Sequence, residues 1–324
     1  MYLIETTKDL IELSLAEISS YFEIENHEKN YVIVKSKESI LKDFEKLGFS
    51  KNLYLIIFSF NSEQFIEKLK QEPTIKNQIP NNFFISTLDE KNKKDYEEIK
   101  KNIGLALEDH HHKIDFKGIP LYVIRINNKL YLLKKIKKAN LDYNNFRNSI
   151  VPLNSATLLD TKLAKAMLNL AKIEKDDIIL DPFCGAGGIL IEASKLNVNV
   201  FGNDLFHVQL RKARMNLIWF RCKNVKLVCS NAKDCEKLAE IIKPTKIVTD
   251  LPYGLRSKLR EEIKILITSI LKLRLRSVLL CIDNQEIDQF IKKTSNELNL
   301  ILENEFNIPV NHFFRRKLYV IKPN

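Results

Sequence analysis

The sequence predicts an α/β protein whose second half is a doubly wound sheet and whose first half is an α+β region. Apolar strand-like runs alternate with amphipathic helical runs after residue 156, which is typical of sheets covered by helices on both faces. Five of the eight glycines lie between residues 185 and 254, close to the expected ends of these strands. The first half mixes short strands and helices without that regular alternation.

In the first half, apolar runs predict strands and helical periodicity predicts helices. The predicted elements are strands at Tyr31–Val34, Leu53–Phe60 and Phe83–Ser86 and helices at Ser62–Lys70 and Tyr96–Leu107. A hairpin is expected where Asn127-Asn128 separates two apolar runs, Leu121–Ile126 and Lys129–Leu133. Residues 134–156, which contain KKIKK, are expected to connect the two halves.

The second half predicts a regular series of strands with helices between them. The strands are Ile178–Leu180, Val198–Phe201, Val225–Cys229, Ile247–Thr249, Val278–Ile282 and a final pair near Ile301–Phe306 and Lys317–Ile321. The helices include Ile189–Lys195, Leu205–Arg221 and a long helix from about Ser257. Doubly wound sheets bind ligands beyond the carboxyl ends of their strands. The residues at those ends are therefore the first candidates for a site.

The charge of the chain indicates a polyanionic partner. The 324 residues, enough for about two domains, carry 52 Lys and Arg against 41 Asp and Glu. Residues 1–150 have 24 basic and 22 acidic residues, whereas residues 151–324 have 28 and 19, which concentrates the surplus in the second half. Nucleic acid is the usual partner of such a surplus, and a solvated lysine-rich surface is the alternative.

Composition also indicates where the protein acts. The first thirty residues lack a basic start followed by an apolar run, and no run of 18 apolar residues occurs, so neither a signal peptide nor a membrane span is predicted. The five cysteines include no CxxC pair, which argues against a disulfide framework or a zinc site. We therefore expect a cytoplasmic protein without a metal.

The first strand of the second half ends at Asp181, which the glycine-rich turn PFCGAGG follows. Glycines permit a tight turn and a close approach of the backbone to a ligand. The acidic strand end would repel a pyrophosphate but suits a cation or an amine, which favours S-adenosylmethionine over a dinucleotide. A purely structural turn is the alternative.

Polar residues also follow the next two strands. Asp204, 23 residues after Asp181, ends the second strand, where a carboxylate can bind both hydroxyls of a ribose. Asn231 follows the third strand, where it could bind the edge of an adenine. Three polar residues at three successive strand ends strengthen the prediction of a cofactor site.

The fourth strand ends in Asp250-Leu251-Pro252-Tyr253-Gly254, a pattern that suits methyl transfer to a planar exocyclic amine. The Asp250 carboxylate and the Leu251 carbonyl can each accept one N–H of the amine, because Pro252 fixes the local backbone. Tyr253 can stack on an extracted base. A β-turn without function is the alternative, since Asp, Pro and Gly all favour turns.

These residues resemble class I S-adenosylmethionine-dependent methyltransferases of amines, with Asp-Leu-Pro-Tyr standing at the D/N-P-P-Y motif. Three further stretches resemble RNA guanine-N2 methylases: TKLAKAMLNLA from Thr161, DPFCGAGGILIEA from Asp181 and HFFRRKLYV from His312. The stretch from Ile103 to Leu133 resembles the THUMP region of tRNA enzymes. The whole chain is similar to archaeal-type tRNA (guanine10-N2)-methyltransferases.

The resemblance implies four regions: a ferredoxin-like region at 1–72, a THUMP-like RNA-binding domain at 73–135, a linker at 136–155 and a Rossmann-like methyltransferase domain at 156–324. It implies S-adenosylmethionine as cofactor and tRNA as partner, and a small activating subunit is a partner that the sequence cannot reveal. The catalytic residues expected are Asp250, Leu251, Pro252 and Tyr253. The cofactor-binding residues expected are Asp181, Phe183, Cys184, Gly185, Ala186, Gly187, Asp204, Leu205, Asn231 and Ala232.

Two positions depart from the family pattern. Asn231 stands where an aspartate is more usual, which keeps an acceptor but leaves the cofactor affinity open. Leu251 replaces the commoner first proline of the tetrapeptide, and this change is mild because the mechanism needs only a backbone carbonyl there.

Some residues have competing interpretations. The basic residues that flank the predicted site are candidates for contacts with RNA phosphates, namely Arg256, Lys258, Arg260, Arg315 and Arg316. His110-His111-His112 favours an exposed loop over a metal site, because three adjacent side chains cannot face one ion on a regular element. Cys184 is expected to be a packed thiol, and Met215 and Trp219 are expected to lie in the core.

The predicted function is transfer of a methyl group to the exocyclic N2 of a guanine in tRNA, at guanine 10. One alternative keeps the fold but changes the acceptor to adenine N6 in nucleic acid or to a glutamine of a protein. Another alternative is an RNA-binding relative without catalysis, against which the intact Asp250, Pro252 and Tyr253 argue.

Overall fold

A computed structural model describes residues 1–36, 39–89, 92–139, 159–252, 261–311 and 314–324. The chain divides into two compact units. The first contains Met1–Ile11, Tyr21–Glu45 and Ser50–Asn140, and the second contains Glu12–Ser20, Lys46–Phe49 and Leu141–Asn324. The predicted division of the first half at residues 72 and 73, and its THUMP-like part, stay predictions.

The first unit is built on one eight-stranded sheet with the order β2-β3-β1-β4-β8-β7-β5-β6. Its strands are β1 (Tyr2–Thr6), β2 (Glu23–Glu28), β3 (Tyr31–Lys35), β4 (Ser50–Asn61), β5 (Asn82–Thr87), β6 (Lys113–Ile114), β7 (Ile119–Ile126) and β8 (Lys129–Lys138). The helices of the first half are α1 (Ile11–Ser19), α2 (Ile40–Lys46), α3 (Phe65–Gln71) and α4 (Glu97–Leu107).

The predicted hairpin of β7 and β8 is confirmed. The two strands pair antiparallel up to Ile126 and Lys129, and Asn127 and Asn128 both have positive φ angles, as a two-residue hairpin turn requires. The prediction that the KKIKK stretch belongs to a connection is wrong, because β8 continues to Lys138 and pairs there with β4.

Three strands of the first unit were not predicted from the sequence, namely β1, β2 and the two-residue β6. β1 lies between β3 and β4, and β2 pairs with β3 at the edge of the sheet. The polar sequence EIENHE of β2 gives no apolar run, because this edge strand is exposed at every second residue. Apolar side chains from β4, β5, β7 and β8 pack with α3 and α4 and form the main core of this unit.

The second unit contains a seven-stranded sheet with the order β11-β10-β9-β12-β13-β15-β14. Its strands are β9 (Ile178–Asp181), β10 (Asn199–Asp204), β11 (Val225–Cys229), β12 (Lys246–Asp250), β13 (Arg276–Ile282), β14 (Leu300–Asn311) and β15 (Phe314–Pro323). Its helices after residue 158 are α5 (Thr161–Leu170), α6 (Gly188–Ser194), α7 (His207–Trp219), α8 (Cys235–Ile242), α9 (Glu261–Lys272) and α10 (Gln285–Glu297).

This sheet confirms the predicted doubly wound fold. β9 to β13 pair in parallel, and only β15 and β14 run antiparallel to their neighbours. The order of the strands reverses at β9, which lies between β10 and β12. Such a switch point opens a crevice at the carboxyl ends of the strands.

The prediction that Met215 and Trp219 lie in the core is wrong. The two side chains are 45% and 56% exposed. The buried positions of α7 are Leu210, Ala213, Asn216 and Leu217, and they form a stripe on another side of the helix. Among the described residues, no helix is long and apolar enough to cross a membrane.

Candidate active site

A cavity of about 370 Å³ lies at the carboxyl ends of β9, β10, β11 and β12. Twelve of the predicted site residues line it: Asp181, Phe183, Cys184, Gly185, Ala186, Asp204, Leu205, Asn231, Ala232, Asp250, Leu251 and Pro252. Residues distant in sequence are therefore brought together at the switch point of the sheet. Tyr253 falls outside the described residues.

The loop after β9 owes its shape to a tight turn. The N–H of Gly187 donates to the carbonyl of Cys184 at 2.8 Å, and Gly187 has a φ of +91°, a conformation that other residues rarely adopt. Gly187 is the N-cap of α6. It shapes the loop rather than lining the cavity.

Asp181 is a buried carboxylate in the floor of this site, with 1% exposure. Its Oδ1 accepts hydrogen bonds from Thr249 Oγ1 at 2.6 Å and from the N–H of Phe183 at 3.1 Å. Burial raises the pKa of Asp181 to about 7, although these two bonds oppose the shift. A cationic ligand in the cavity would therefore lie beside a carboxylate that ionises near neutral pH.

Asp204 anchors the opposite side of the loop. Its Oδ2 accepts from the N–H of Gly185 at 3.0 Å, and its Oδ1 accepts from the N–H of Phe206 at 2.9 Å. Asn231 lines the cavity, and its Oδ1 also caps the 3₁₀ turn Ala232–Asp234 by accepting from the N–H of Lys233 at 3.0 Å. The Asn231 side chain thus has a local structural role as well as a position at the cavity.

Asp250 ends β12 at the rim of the same cavity. Its carboxylate forms an ion pair with Arg316, whose Nη2 donates to Asp250 Oδ1, and the two side chains are only 12% and 5% exposed. The neighbouring Leu251 is buried, and its N–H donates to the carbonyl of Leu280 on β13 at 2.8 Å. Pro252 is exposed.

The structure gives different surroundings to Arg315 and Arg316, two of the basic residues that were predicted to contact RNA phosphates. Arg315 is exposed and stays a candidate, whereas Arg316 is buried against Asp250. The prediction for Arg316 is therefore wrong, since side chains alternate between the two faces of a strand. Arg256, Lys258 and Arg260 lie outside the described residues.

Three polar residues that sequence reasoning missed support the site. Asn203 Nδ2 donates to the carbonyls of Pro182 and Ser230, and its Oδ1 accepts from the N–H of Ser230. These hydrogen bonds join the ends of β9, β10 and β11. Asn216 Nδ2 donates to the carbonyl of Ala186 at 3.0 Å. Asn203, Asn216 and Thr249 are all buried, and a polar residue within an apolar strand or helix face was the available signal.

Cys184 is a packed thiol, as predicted. It is 6% exposed, and burial, with the nearby Asp181 and Asp204, raises its pKa well above the usual range. At His110–His112, Asp109 accepts hydrogen bonds from the N–H groups of His111 and His112 at 2.8 Å. Within the described part of the chain, no group of three potential metal ligands occurs.

The chain was compared with known proteins. Residues 149–304 match the family model described as "RMKL-like, methyltransferase domain", and residues 14–214 match a model described as "DNA methylase". A tRNA (guanine(10)-N2)-dimethyltransferase of Methanothermobacter thermautotrophicus is 35% identical over 162 residues, which are 48% of this chain and 47% of that protein. The chain therefore spans less than half the length of this relative.

A second relative and a solved structure extend the match. The tRNA (guanine(10)-N2)-dimethyltransferase of Pyrococcus abyssi is 25% identical over 265 residues, 78% of each chain. The crystal structure of TrmN from Thermus thermophilus has a TM-score of 0.54 and 18% identity, and the match covers 100% of this chain and 99% of that chain. This structural likeness shows a common fold.

Fold and site together define a class I methyltransferase with a glycine-containing loop after β9. The family models agree with that class. A probable tRNA (guanine(10)-N2)-dimethyltransferase of Methanothermococcus thermolithotrophicus is 32% identical over 108 residues, which are 32% of this chain and 67% of that protein, so the chain belongs to the methyltransferase family that includes these enzymes.

Proposed function

We propose that this protein transfers a methyl group from S-adenosylmethionine to the exocyclic N2 of guanine 10 in tRNA. The observation that carries the proposal is that Asp250 and Leu251, at the end of β12, line the same cavity as Asp181 and Asp204. A methyl donor and an acceptor amine would therefore meet in one site. The names of the relatives support tRNA as the substrate.

The residues of the cavity fit S-adenosylmethionine. A Cβ atom added to Gly185 would meet nothing within 4 Å, so the loop backbone faces open space there. The buried Oε1 of Gln209, in the cavity wall, has no hydrogen-bond partner among the described residues and is available to a hydroxyl or amine of a ligand. Asp181 would face the cationic part of the donor, and Asp204 its ribose hydroxyls.

When bound, the cofactor supplies an electrophilic methyl group, whose bond to sulfur breaks with its electron pair staying on sulfur as the new N–C bond forms. The chain has to orient a weak nucleophile, since the lone pair of N2 is delocalised into the guanine ring. Asp250 and the Leu251 carbonyl would each accept one N–H of the amine and localise that lone pair. The amine loses a proton to water after transfer, so Asp250 acts by orientation and charge rather than as a strong base.

The guanine has to leave its stack to reach this cavity, which costs a few kcal/mol. Tyr253 would stack on the extracted base, next to Pro252 at the rim. Arg315, together with Arg256, Lys258 and Arg260, would contact RNA phosphates, and the regions at 1–72 and 73–135 would dock the tRNA by shape. The cysteines are free thiols, which supports action in the reducing cytoplasm.

The test is transfer of a tritiated methyl group to an unmodified tRNA transcript, followed by nucleoside analysis. A transcript that carries adenine at position 10 is the matched control. We expect labelled N2-methylguanosine with the unmodified transcript and none with the transcript that carries adenine at position 10. Equal labelling of both transcripts would exclude guanine 10 as the acceptor.

A second candidate function is methylation of adenine N6 in nucleic acid, which the match to a DNA methylase model favours. Adenine N6 is also a planar amine, so Asp250 and Leu251 would hold it in the same way. The same assay on double-stranded and single-stranded DNA distinguishes the two. Labelled N6-methyladenine, with no label in tRNA, would favour this alternative.

A further inference from the structure

The ion pair between Arg316 and Asp250 links two strands, β15 and β12, that lie on either side of β13. Asp250 on β12 is in register with Leu280 on β13, and Ile282, two residues further along β13, is in register with Arg316 on β15. Arg316 therefore reaches over the intervening strand to donate to Asp250 Oδ1. Both side chains are almost completely buried at the rim of the cavity.

The cost of this arrangement points to a role beyond folding. Burying an arginine and a carboxylate removes both charges from water, and apolar residues of similar volume often give an equal or greater stability. Folding alone therefore gives no reason for a charged pair here. The position of the pair, at the carboxylate that would meet the acceptor, supplies one.

We propose that Arg316 is a positioning residue that fixes the carboxylate of Asp250 in the orientation needed for the acceptor amine. This inference rests on the proposed amine methylation at Asp250. A carboxylate has two oxygens and about four acceptor sites, so it can bind a guanidinium and a substrate N–H at the same time. Arg316 donates to Oδ1, and its planar guanidinium fixes the direction from which that oxygen is bound.

The neighbouring cation Lys317 provides a control for the role of Arg316. Lys317 follows Arg316 on β15 and pairs with Asp288 at 2.7 Å and with Glu305 at 3.5 Å, outside the lining of the cavity, so it is a half-buried control cation. Side chains at successive strand positions lie on opposite faces. Loss of Lys317 should affect stability without affecting Asp250.

The experiment compares Arg316→Gln, Arg316→Lys and Lys317→Gln in the full chain, with kcat, KM for tRNA and the affinity for S-adenosylmethionine measured separately. A misplacement of about 1 Å can lower a rate by about 100-fold, so Arg316→Gln should lower kcat by about 10- to 100-fold. Both binding constants should change less than about twofold, since Arg316 acts through Asp250. Arg316→Lys should recover part of kcat, and Lys317→Gln should keep the wild-type value.

A double-mutant cycle provides a readout that a purely structural role would not change. In an Asp250→Asn background, Arg316→Gln should lower kcat by less than about twofold further, because the group that it positions is already altered. Additive losses would overturn the inference, as would a wild-type kcat in Arg316→Gln. If Arg316→Gln does not fold, Arg316→Lys replaces it in the cycle, and an equal loss of kcat in the wild-type and Asp250→Asn backgrounds would refute the role.

The failure of this inference can be distinguished from the failure of the proposed function. If the wild-type protein methylates no nucleic acid, the proposed function fails. If the wild-type protein methylates tRNA and Arg316→Gln does so at the same rate, only the role of Arg316 fails.

Discussion

The ends of β9 and β12 carry two carboxylates of one cavity in opposite environments. Burial raises the pKa of Asp181 to about 7, although this carboxylate accepts two hydrogen bonds from neutral donors that lower it. Asp250, on the neighbouring strand, is held by a permanently charged arginine. A carboxylate of the first kind ionises in response to a cationic ligand, whereas the arginine holds the second in one orientation. We infer that Asp181 serves the methyl donor and Asp250 the acceptor.

The largest expected effect is that of Asp250→Ala on the rate. Removing a group that stabilises charge in a transition state typically costs about 100- to 1,000-fold in kcat, and we expect a loss in that range. The measurement is steady-state methyl transfer to tRNA. Asp288→Asn is the control, because it removes a carboxylate that is also paired with a cation of β15 but lies outside the cavity. A similar loss in the control would show that the sheet, not the site, had been damaged.

Glu17 on α1 is a third buried carboxylate, and it tests whether burial alone explains the raised pKa of Asp181. It lies in the second unit and accepts hydrogen bonds from the N–H groups of Gly48 and Phe49 and from Asn169. Burial raises its pKa from 4.5 to about 7. Because the folded state binds this proton more tightly than the unfolded state, its stabilisation is complete below pH 4.5 and is lost as the pH rises through 7.

The expected loss from Glu17 is about 3 kcal/mol of unfolding free energy between these two pH values. Glu17→Gln should remove this part of the pH dependence, whereas the part due to Asp181, which has the same sign, should remain. Urea unfolding at several pH values measures both. An unchanged pH dependence in Glu17→Gln would contradict this account of the residue.

The next effect concerns the pH dependence of cofactor binding. A cationic ligand prefers the ionised form of Asp181, so affinity should rise as the pH increases through about 7 and then level off. Between pH 6 and pH 8 the Kd for S-adenosylmethionine should fall about tenfold. Calorimetric titration of wild type and Asp181→Asn checks this expectation, and the variant should give a weaker and nearly flat profile. A flat wild-type profile would argue that Asp181 does not face a cation.

The smallest effect is expected for Arg315→Gln, which removes an exposed charge beside the buried Arg316. Loss of a single phosphate contact should raise KM for tRNA by about two- to threefold and leave kcat unchanged. It should also lower the number of ions released on tRNA binding by about one. Binding measured at several salt concentrations would show it. A loss of kcat without a change in salt dependence would remove Arg315 from the RNA interface.

Much of this site could be predicted from the sequence because its residues follow strand ends. Asp181, Asp204, Asn231 and Asp250 each lie at the end of a strand or within two residues after it, and parallel strands bring such positions to one edge. Strand β2 was not predictable, since an edge strand with alternating polar residues has no apolar run. The two neighbouring arginines also look alike in sequence. Only the pairing of β15 with β13 gives Arg316 a partner on β12.

Asn203 and Asn216 illustrate a further limit of sequence reasoning. Each supports the loop after β9 through a backbone carbonyl, and such a partner leaves no side-chain pattern in the sequence. Their burial within apolar elements was the available sign, and it does not reveal what they bind.

The most direct test of the division between donor and acceptor carboxylates is a paired measurement on Asp250→Asn. Its Kd for S-adenosylmethionine, from calorimetry, is compared with its single-turnover rate of methyl transfer to tRNA at saturating cofactor. The account predicts a Kd within about twofold of wild type and a rate lowered by about 100-fold or more. A variant that loses cofactor binding, or one that keeps the wild-type rate, would contradict it.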